Sequence, residues 1–246
     1  MNKVIIACAG ARKTTSLVQC ALGHPARKVL IVTYTINNFN QIVERIYQAA
    51  GFIPSNIEVQ TWFSFLLSEG VRPYQNCVYS ETRIRSIAFV CGTSNKYVSK
   101  SDIKRYYLCN NDLICTDKIG DFICDVNEKS RGKVIKRLEG IYDDIYIDEI
   151  QDLAGHDLCF LELLFRSNIC MYVVGDCRQA TYFTNQARKN KALRGQNILN
   201  LFSSWEKHNL CCIEFRNDNY RSNQLICDFS DLLYPDLPLS LIHISE

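Results

Sequence analysis

Short apolar runs alternate with stretches of helical periodicity along the first seventy residues of the chain. Val4-Ile5-Ile6-Ala7 is a β-branched run of the length of one buried parallel strand. A loop of small residues follows, Cys8-Ala9-Gly10-Ala11-Arg12-Lys13-Thr14-Thr15, and then a helical stretch from Ser16 to Leu22 that stops at Gly23. Lys28–Thr35 reads as a second buried strand. Phe39, Ile42, Val43 and Ile46 recur at helical spacing up to Gly51 and predict a second, amphipathic helix. Ile57–Thr61 is a third short strand, and Trp62–Leu67 opens another helix. Alternation of this kind predicts an α/β protein built on a doubly wound parallel sheet.

Composition narrows the class without naming a function. With 47% hydrophobic and 22% charged residues over 246 positions, the chain is an ordinary globular one, not collagen-like, low-complexity or disordered. Its apolar runs fall far short of the roughly 20 residues that a membrane span needs, so no membrane partner is expected. Met1-Asn2-Lys3 leads straight into the first strand without a cleavage site, which predicts no signal peptide and a cytoplasmic location. A net charge of +2 makes no global claim on nucleic acid, so any such binding must come from a local patch. The 13 cysteines are odd in number, scattered, and form no C-x-x-C pair. Zinc ribbons and disulfide frameworks both need regular spacing, so buried free thiols in a reducing compartment are expected.

Strand, small-residue loop, Lys-Thr and helix is the order that a phosphate-binding loop requires. Backbone N–H groups and the helix N-terminus would face a phosphate, Lys13 would add a point charge, and the Thr14 hydroxyl could ligate magnesium. Arg12 stands where the usual G-x-x-x-x-G-K-[ST] pattern has its second glycine, and the first falls on Ala7, just before Cys8. A side chain at positive φ costs about 1–2 kcal/mol, and is tolerated where the position can be met at negative φ. Taken alone, the loop reads equally as a βα turn of an unrelated α/β protein.

The strongest signal is Asp144-Ile145-Tyr146-Ile147-Asp148-Glu149-Ile150-Gln151-Asp152. An apolar strand ending in Asp-Glu puts two carboxylates at the carboxyl edge of the sheet, where open α/β folds bind ligands. The first can hold magnesium, and the second can orient and deprotonate a water. Read more plainly, such a pair is a strand end with two solvated acids.

With these residues in view, the chain resembles the N-terminal motor half of superfamily 1 helicases of the UvrD/Rep type. Six stretches follow that family's motif order. They are the phosphate loop Ala9-Gly10-Ala11-Arg12-Lys13-Thr14-Thr15; Thr33-Tyr34-Thr35-Ile36-Asn37-Asn38-Phe39; Thr61-Trp62-Phe63-Ser64-Phe65; Asp148-Glu149-Ile150-Gln151-Asp152; Val174-Gly175-Asp176-Cys177-Arg178-Gln179-Ala180-Thr181-Tyr182; and Asn219-Tyr220-Arg221-Ser222. The resemblance implies a RecA-like P-loop NTPase fold over residues 1–68 and 140–238, with a mostly helical subdomain inserted at 69–139. It implies ATP on the 9–15 loop and Mg²⁺ on Thr14 and Asp148, with Lys13 on the β/γ-phosphates. It makes Glu149 the general base, Gln179 the γ-phosphate sensor and Arg221 an arginine finger, although a surface arginine capping a turn is the plainer reading of Arg221. Single-stranded DNA would stack on Tyr34, Trp62 and Tyr182, while Trp62 and Phe65 read also as core packing.

The resemblance has gaps as well. The tryptophan and arginine expected after Tyr182 are Thr184 and Asn185, so one stacking element is lost. Basic residues of the insertion, among them Lys100, Lys104 and Arg137, could meet phosphates or form a solvated face, and Arg188-Lys189-Asn190-Lys191 with Arg194 reads as a backbone-tracking loop. The family's adenine-reading glutamine lies upstream of the phosphate loop, and this chain has only three residues before its first strand. The last eight residues, Leu239–Glu246, resemble translated adaptor read-through, so a truncated chain that lacks the family's second RecA-like domain is expected. The expected function is ATP-driven translocation on DNA once that second domain is supplied. Protein partners in DNA repair or phage defence would fit such a motor. The alternative is a nucleotide-gated adaptor without turnover, in a DNA-processing or defence complex. A nucleotide kinase is disfavoured by Asn219-Tyr220-Arg221-Ser222.

Overall fold

The computed structural model describes residues 1–8, 10–176, 190, 197–216, 218–220, 229 and 232, and the backbone of 241–242. In chain order its strands are β1 (Lys3–Ala7), β2 (Val29–Thr33), β3 (Ile57–Thr61), β4 (Ser86–Ala88), β5 (Leu108–Asn110), β6 (Leu113–Cys115), β7 (Asp144–Ile147), β8 (Cys170–Gly175) and β9 (Cys212–Arg216). The helices are α1 (Lys13–Leu22), α2 (Ile36–Ala50), α3 (Trp62–Phe65), α4 (Ile103–Tyr107), α5 (Ile119–Lys129), α6 (Lys133–Glu139), α7 (Asp157–Phe165) and α8 (Ile198–Lys207).

Six strands form one all-parallel sheet in the order β3-β2-β7-β8-β1-β9. Parallel pairing buries both faces, and the strand residues divide between two cores accordingly. Val4, Ile6, Leu30, Val32, Ile145 and Ile147 face one core, together with α3, α5, α7 and α8. Ile5, Ala7, Val29, Ile31, Tyr146 and Val174 face the other, under Leu17, Val18 and Ala21 of α1 and Ile42 and Ile46 of α2. One-residue alternation along each strand is what a two-sided sheet demands. The protein is therefore a mixed α/β fold with helices on both faces of a parallel sheet.

Local chemistry sets the element boundaries near the site. The Thr35 hydroxyl accepts from the Asn38 N–H at 3.1 Å and caps α2, so the second strand ends at Thr33 and not at Thr35. Gly51 closes α2 at φ 79°, a left-handed conformation open to a residue without Cβ. Helix α1 starts at Lys13, three residues before the stretch read from periodicity, so the Lys-Thr pair lies in its first turn. The helix opened by Trp62 is α-helical only to Phe65 and then widens into a π-helical turn, Leu66–Val71.

The 69–139 segment holds both helices and a small sheet. Alongside α4, α5 and α6 it carries a small sheet of order β4-β6-β5. Several of its basic residues are matched by acids: Lys100 lies 3.0 Å from Asp121 and 2.8 Å from Asp125, Lys104 3.1 Å from Glu81, and Arg137 2.6 Å from Glu69. Those charges are compensated within the insertion's own surroundings. The expectation of free thiols needs correction too, because Cys109 and Cys115 form a disulfide across β5 and β6. Cys77 and Cys91 are free and exposed, not buried. Asp218–Asn219 pairs in parallel with Leu241–Ile242, within the tail that the sequence sets apart.

No helix among the described residues is long and apolar enough to cross a membrane.

Candidate functional site

Strands β1 and β7 are not neighbours, since β8 lies between them. Their carboxyl ends nevertheless meet. The Thr14 hydroxyl donates to the Asp148 carboxylate at 2.8 Å, spanning 134 positions of sequence. Lys13 Nζ donates to the carbonyls of Ala7 (3.1 Å) and Cys8 (3.0 Å) and lies 3.9 Å from the Asp176 carboxylate at the end of β8. Loop lysine, loop threonine and two strand-end acids thus occupy one place.

The loop turns sharply to reach α1. Gly10 has φ 86°, the Ala11 N–H donates to the Cys8 carbonyl at 3.2 Å, and Arg12 takes φ 54°. Arg12 therefore meets its position in the left-handed region, not at the negative φ that would have spared it strain. No side chain caps α1, so the N–H groups of its first turn remain for an anion. The Arg12 guanidinium lies 4.1 Å from the centre of the Tyr220 ring, and the Tyr220 N–H donates to the Gly10 carbonyl at 3.1 Å.

The acid end of β7 is equally constrained. Asp148 is buried, its N–H donates to the Val32 carbonyl, and its second carboxylate oxygen accepts from the Glu149 N–H at 3.0 Å. Burial, reinforced by the charge of Glu149, pushes the Asp148 pKa up, and Thr14 and Lys13 oppose the rise. Asp152 is raised to about 7 by burial and then by Glu149 and Asp148. One of its carboxylate oxygens has no hydrogen-bond partner among the described residues.

Arg12, Lys13, Thr14, Asp148, Glu149 and Tyr220 line a cleft of about 600 Å³ together with Asn38, Gln41 and Arg45 of α2. Arg45 donates to the Thr15 hydroxyl at 2.9 Å. Sequence reasoning missed this α2 wall, although its positions are spaced i, i+3, i+7 and belong to the polar face of a helix whose periodicity is plainly amphipathic. Gln151 stands inside the acidic motif, where the resemblance assigns it no role. The residues suit a nucleoside triphosphate and its cation: a turned loop over a helix N-terminus, a lysine, and one hydroxyl with one carboxylate for the metal. Among the described residues no three His, Cys, Asp or Glu side chains converge into a protein-only metal cage.

The residues read as stacking on DNA fall in different places. Tyr34 is half-buried and lines a groove of about 490 Å³ with Phe63, Phe89 and Ile36. The Tyr34 and Phe63 rings are 5.8 Å apart, and Phe63 and the exposed Phe89 meet edge-on at 5.5 Å. Trp62 is only 1% exposed, packs near Phe65 and Phe160, and donates to Asp157 at 3.3 Å. Its surroundings fit the core reading and not the DNA one: strand–helix geometry turns Trp62 inward and leaves the next residue, Phe63, toward the groove. Ala9, Gln179, Tyr182, Arg221, Arg188, Lys189, Lys191 and Arg194 lie outside the described residues, whereas Asn190 donates to the Gly155 carbonyl at 2.8 Å.

The chain matches no protein-family model and no curated protein.

Proposed function

We propose that the chain is an ATP-hydrolysing module of RecA-like type, the first motor domain of a UvrD/Rep-like DNA helicase. The observation that carries this reading is the 2.8 Å contact between Thr14 and Asp148, which joins the phosphate-loop helix to the acid-ended strand. Phosphoryl transfer depends mainly on positioning and on neutralising charge, and the cleft supplies both. Lys13 is held by carbonyls and by Asp176, ready to exchange those partners for phosphate oxygens. Thr14 and Asp148 would hold Mg²⁺, which would supply positive charge to offset that of the phosphates. Glu149 lines the cleft beside Asp148 and would take the proton of the attacking water. Arg221 and Gln179 would complete the γ-phosphate contacts. Tyr34, with Tyr182, would stack bases of single-stranded DNA, a contact that tolerates any sequence. Turning hydrolysis into movement along DNA requires a second RecA-like domain as partner.

The test is the ATPase rate of the purified chain with and without single-stranded DNA, alongside Lys13→Ala and Glu149→Gln. Turnover that needs both residues and rises with DNA supports the reading. Equal ATP affinity for the wild type and Lys13→Ala overturns it. A second reading, a nucleotide-gated adaptor without turnover, draws on Arg12, whose side chain stands at a loop position usually left to glycine. ATP binding without hydrolysis, unchanged by Glu149→Gln, would favour that reading.

A further inference from the structure

Gln151 is buried, at 2% exposure, and both ends of its carboxamide are engaged. Nε2 donates to Glu149 Oε2 at 2.7 Å, and Oε1 accepts from the Asp176 backbone N–H at 3.0 Å. The backbone donor fixes which way the amide faces, because an N–H can meet only the oxygen end. The nitrogen must then point at Glu149. This single side chain links the carboxyl ends of β7 and β8, the strands that deliver Glu149 and Asp176.

Space for the link comes from Gly175. A Cβ at that position would lie 2.5 Å from Gln151 Oε1 and 2.6 Å from Ile150 Cγ2, both inside contact distance. Glu149 itself sits at φ 58°, ψ 47°, a left-handed conformation that strains a residue with a side chain. A strained residue persists where its neighbours hold it, and the carboxamide is one such hold.

We infer that Gln151 is a positioning residue, which aims the Glu149 carboxylate into the cleft and ties its orientation to Gly175–Asp176. The inference rests on the ATPase reading above. A neutral donor suits this role, because it orients the carboxylate without bringing the full positive charge that would weaken it as a base. Because Asp176 also faces Lys13, any shift at the end of β8 reaches the lysine and Glu149 together.

Gln151→Leu isolates the effect, since it removes the donor to Glu149 without adding a charge beside it. Gln151→Met removes both bonds at similar length. In the full chain with Mg-ATP, kcat of both variants should fall about 10- to 100-fold, as when a group orienting an active-site ligand is lost. KM for ATP and the affinity for a fluorescent ATP analogue should remain at wild-type values in both. Gly175→Ala, which pushes the carboxamide aside, should lower kcat in the same way and add little to Gln151→Met in the double variant. Unchanged kcat in a folded Gln151→Met overturns the inference, and so does a parallel loss of kcat and nucleotide affinity. Should Gln151→Met fail to fold, Gln151→Leu and Gly175→Ala decide the matter by themselves. A wild-type chain that binds ATP without turnover overturns the ATPase reading and this inference with it, a result seen before any variant is made.

Discussion

The guanidinium of Arg12 rests 4.1 Å from the centre of the Tyr220 ring, over a loop in which Arg12 itself holds φ 54°. Two opposing effects therefore meet at one residue. The left-handed backbone costs about 1–2 kcal/mol for any residue with a Cβ. The cation–π contact returns about 0.5–1 kcal/mol at an exposed position. Arg12→Gly removes both, and Arg12→Ala removes only the contact. Thermal unfolding should find Arg12→Ala less stable than the wild type, and Arg12→Gly more stable than Arg12→Ala by about 1 kcal/mol. The reverse order would mean that the loop does not adopt this turn.

Trp62 and Tyr34 separate core packing from the lining of the groove. Trp62 is enclosed by Phe65 and Phe160, so Trp62→Ala should destabilise the fold by about 3–5 kcal/mol in urea titrations. Tyr34 is half-buried in the groove, and Tyr34→Ala should cost much less stability. Its effect should appear in the affinity for single-stranded DNA, weakened by about 1–3 kcal/mol for the lost stack. Unaltered DNA affinity in a folded Tyr34→Ala would remove Tyr34 from the DNA path.

Asp152 gives the fold a pH signature. Its pKa rises to about 7 in the fold, against about 3.9 in an unfolded chain. Between those values the native state binds more protons than the unfolded one, so stability falls as pH rises. The group's contribution is fully present below about pH 4 and is lost as pH passes 7. Asp152→Asn stays neutral throughout. The gain in thermal midpoint of Asp152→Asn over the wild type should therefore grow from pH 4 to pH 8. A difference that stays level across that range would contradict the buried, acid-crowded setting of Asp152.

The Cys109–Cys115 bridge closes a short loop between β5 and β6. Loop-closure entropy for so few residues is worth about 2 kcal/mol. A non-reducing peptide map should recover the two cysteines joined, and Cys109→Ser should lower stability by about that amount. Recovery of both as free thiols from protein kept oxidised would remove the bridge.

Local pattern alone announced the parallel sheet. Val4–Ala7 and Val29–Val32 are apolar because inner parallel strands are covered on both faces, and that demand is written residue by residue. The Lys13-Thr14 and Asp148-Glu149 pairs were legible for a similar reason, as each is a short contiguous signal at a strand or helix end. Other features depend on which surfaces meet, and no local signal carries that. Whether Trp62 or Phe63 faces the groove follows from the exit angle of β3 and from the packing of Phe160, nearly a hundred positions away. The α2 wall of Asn38, Gln41 and Arg45 becomes part of a site only because β2 and β7 pair and bring Asp148 beneath it. The Cys109–Cys115 bond needs the turn of a hairpin whose two strands are three residues each. The bridge from Glu149 through Gln151 to Asp176 exists only once β7 and β8 lie side by side, with a glycine at a point where a methyl group would collide with it. Sequence wrote the elements and their chemical ends; the three-dimensional packing of strands that are distant in the chain decided which of those ends share a cleft.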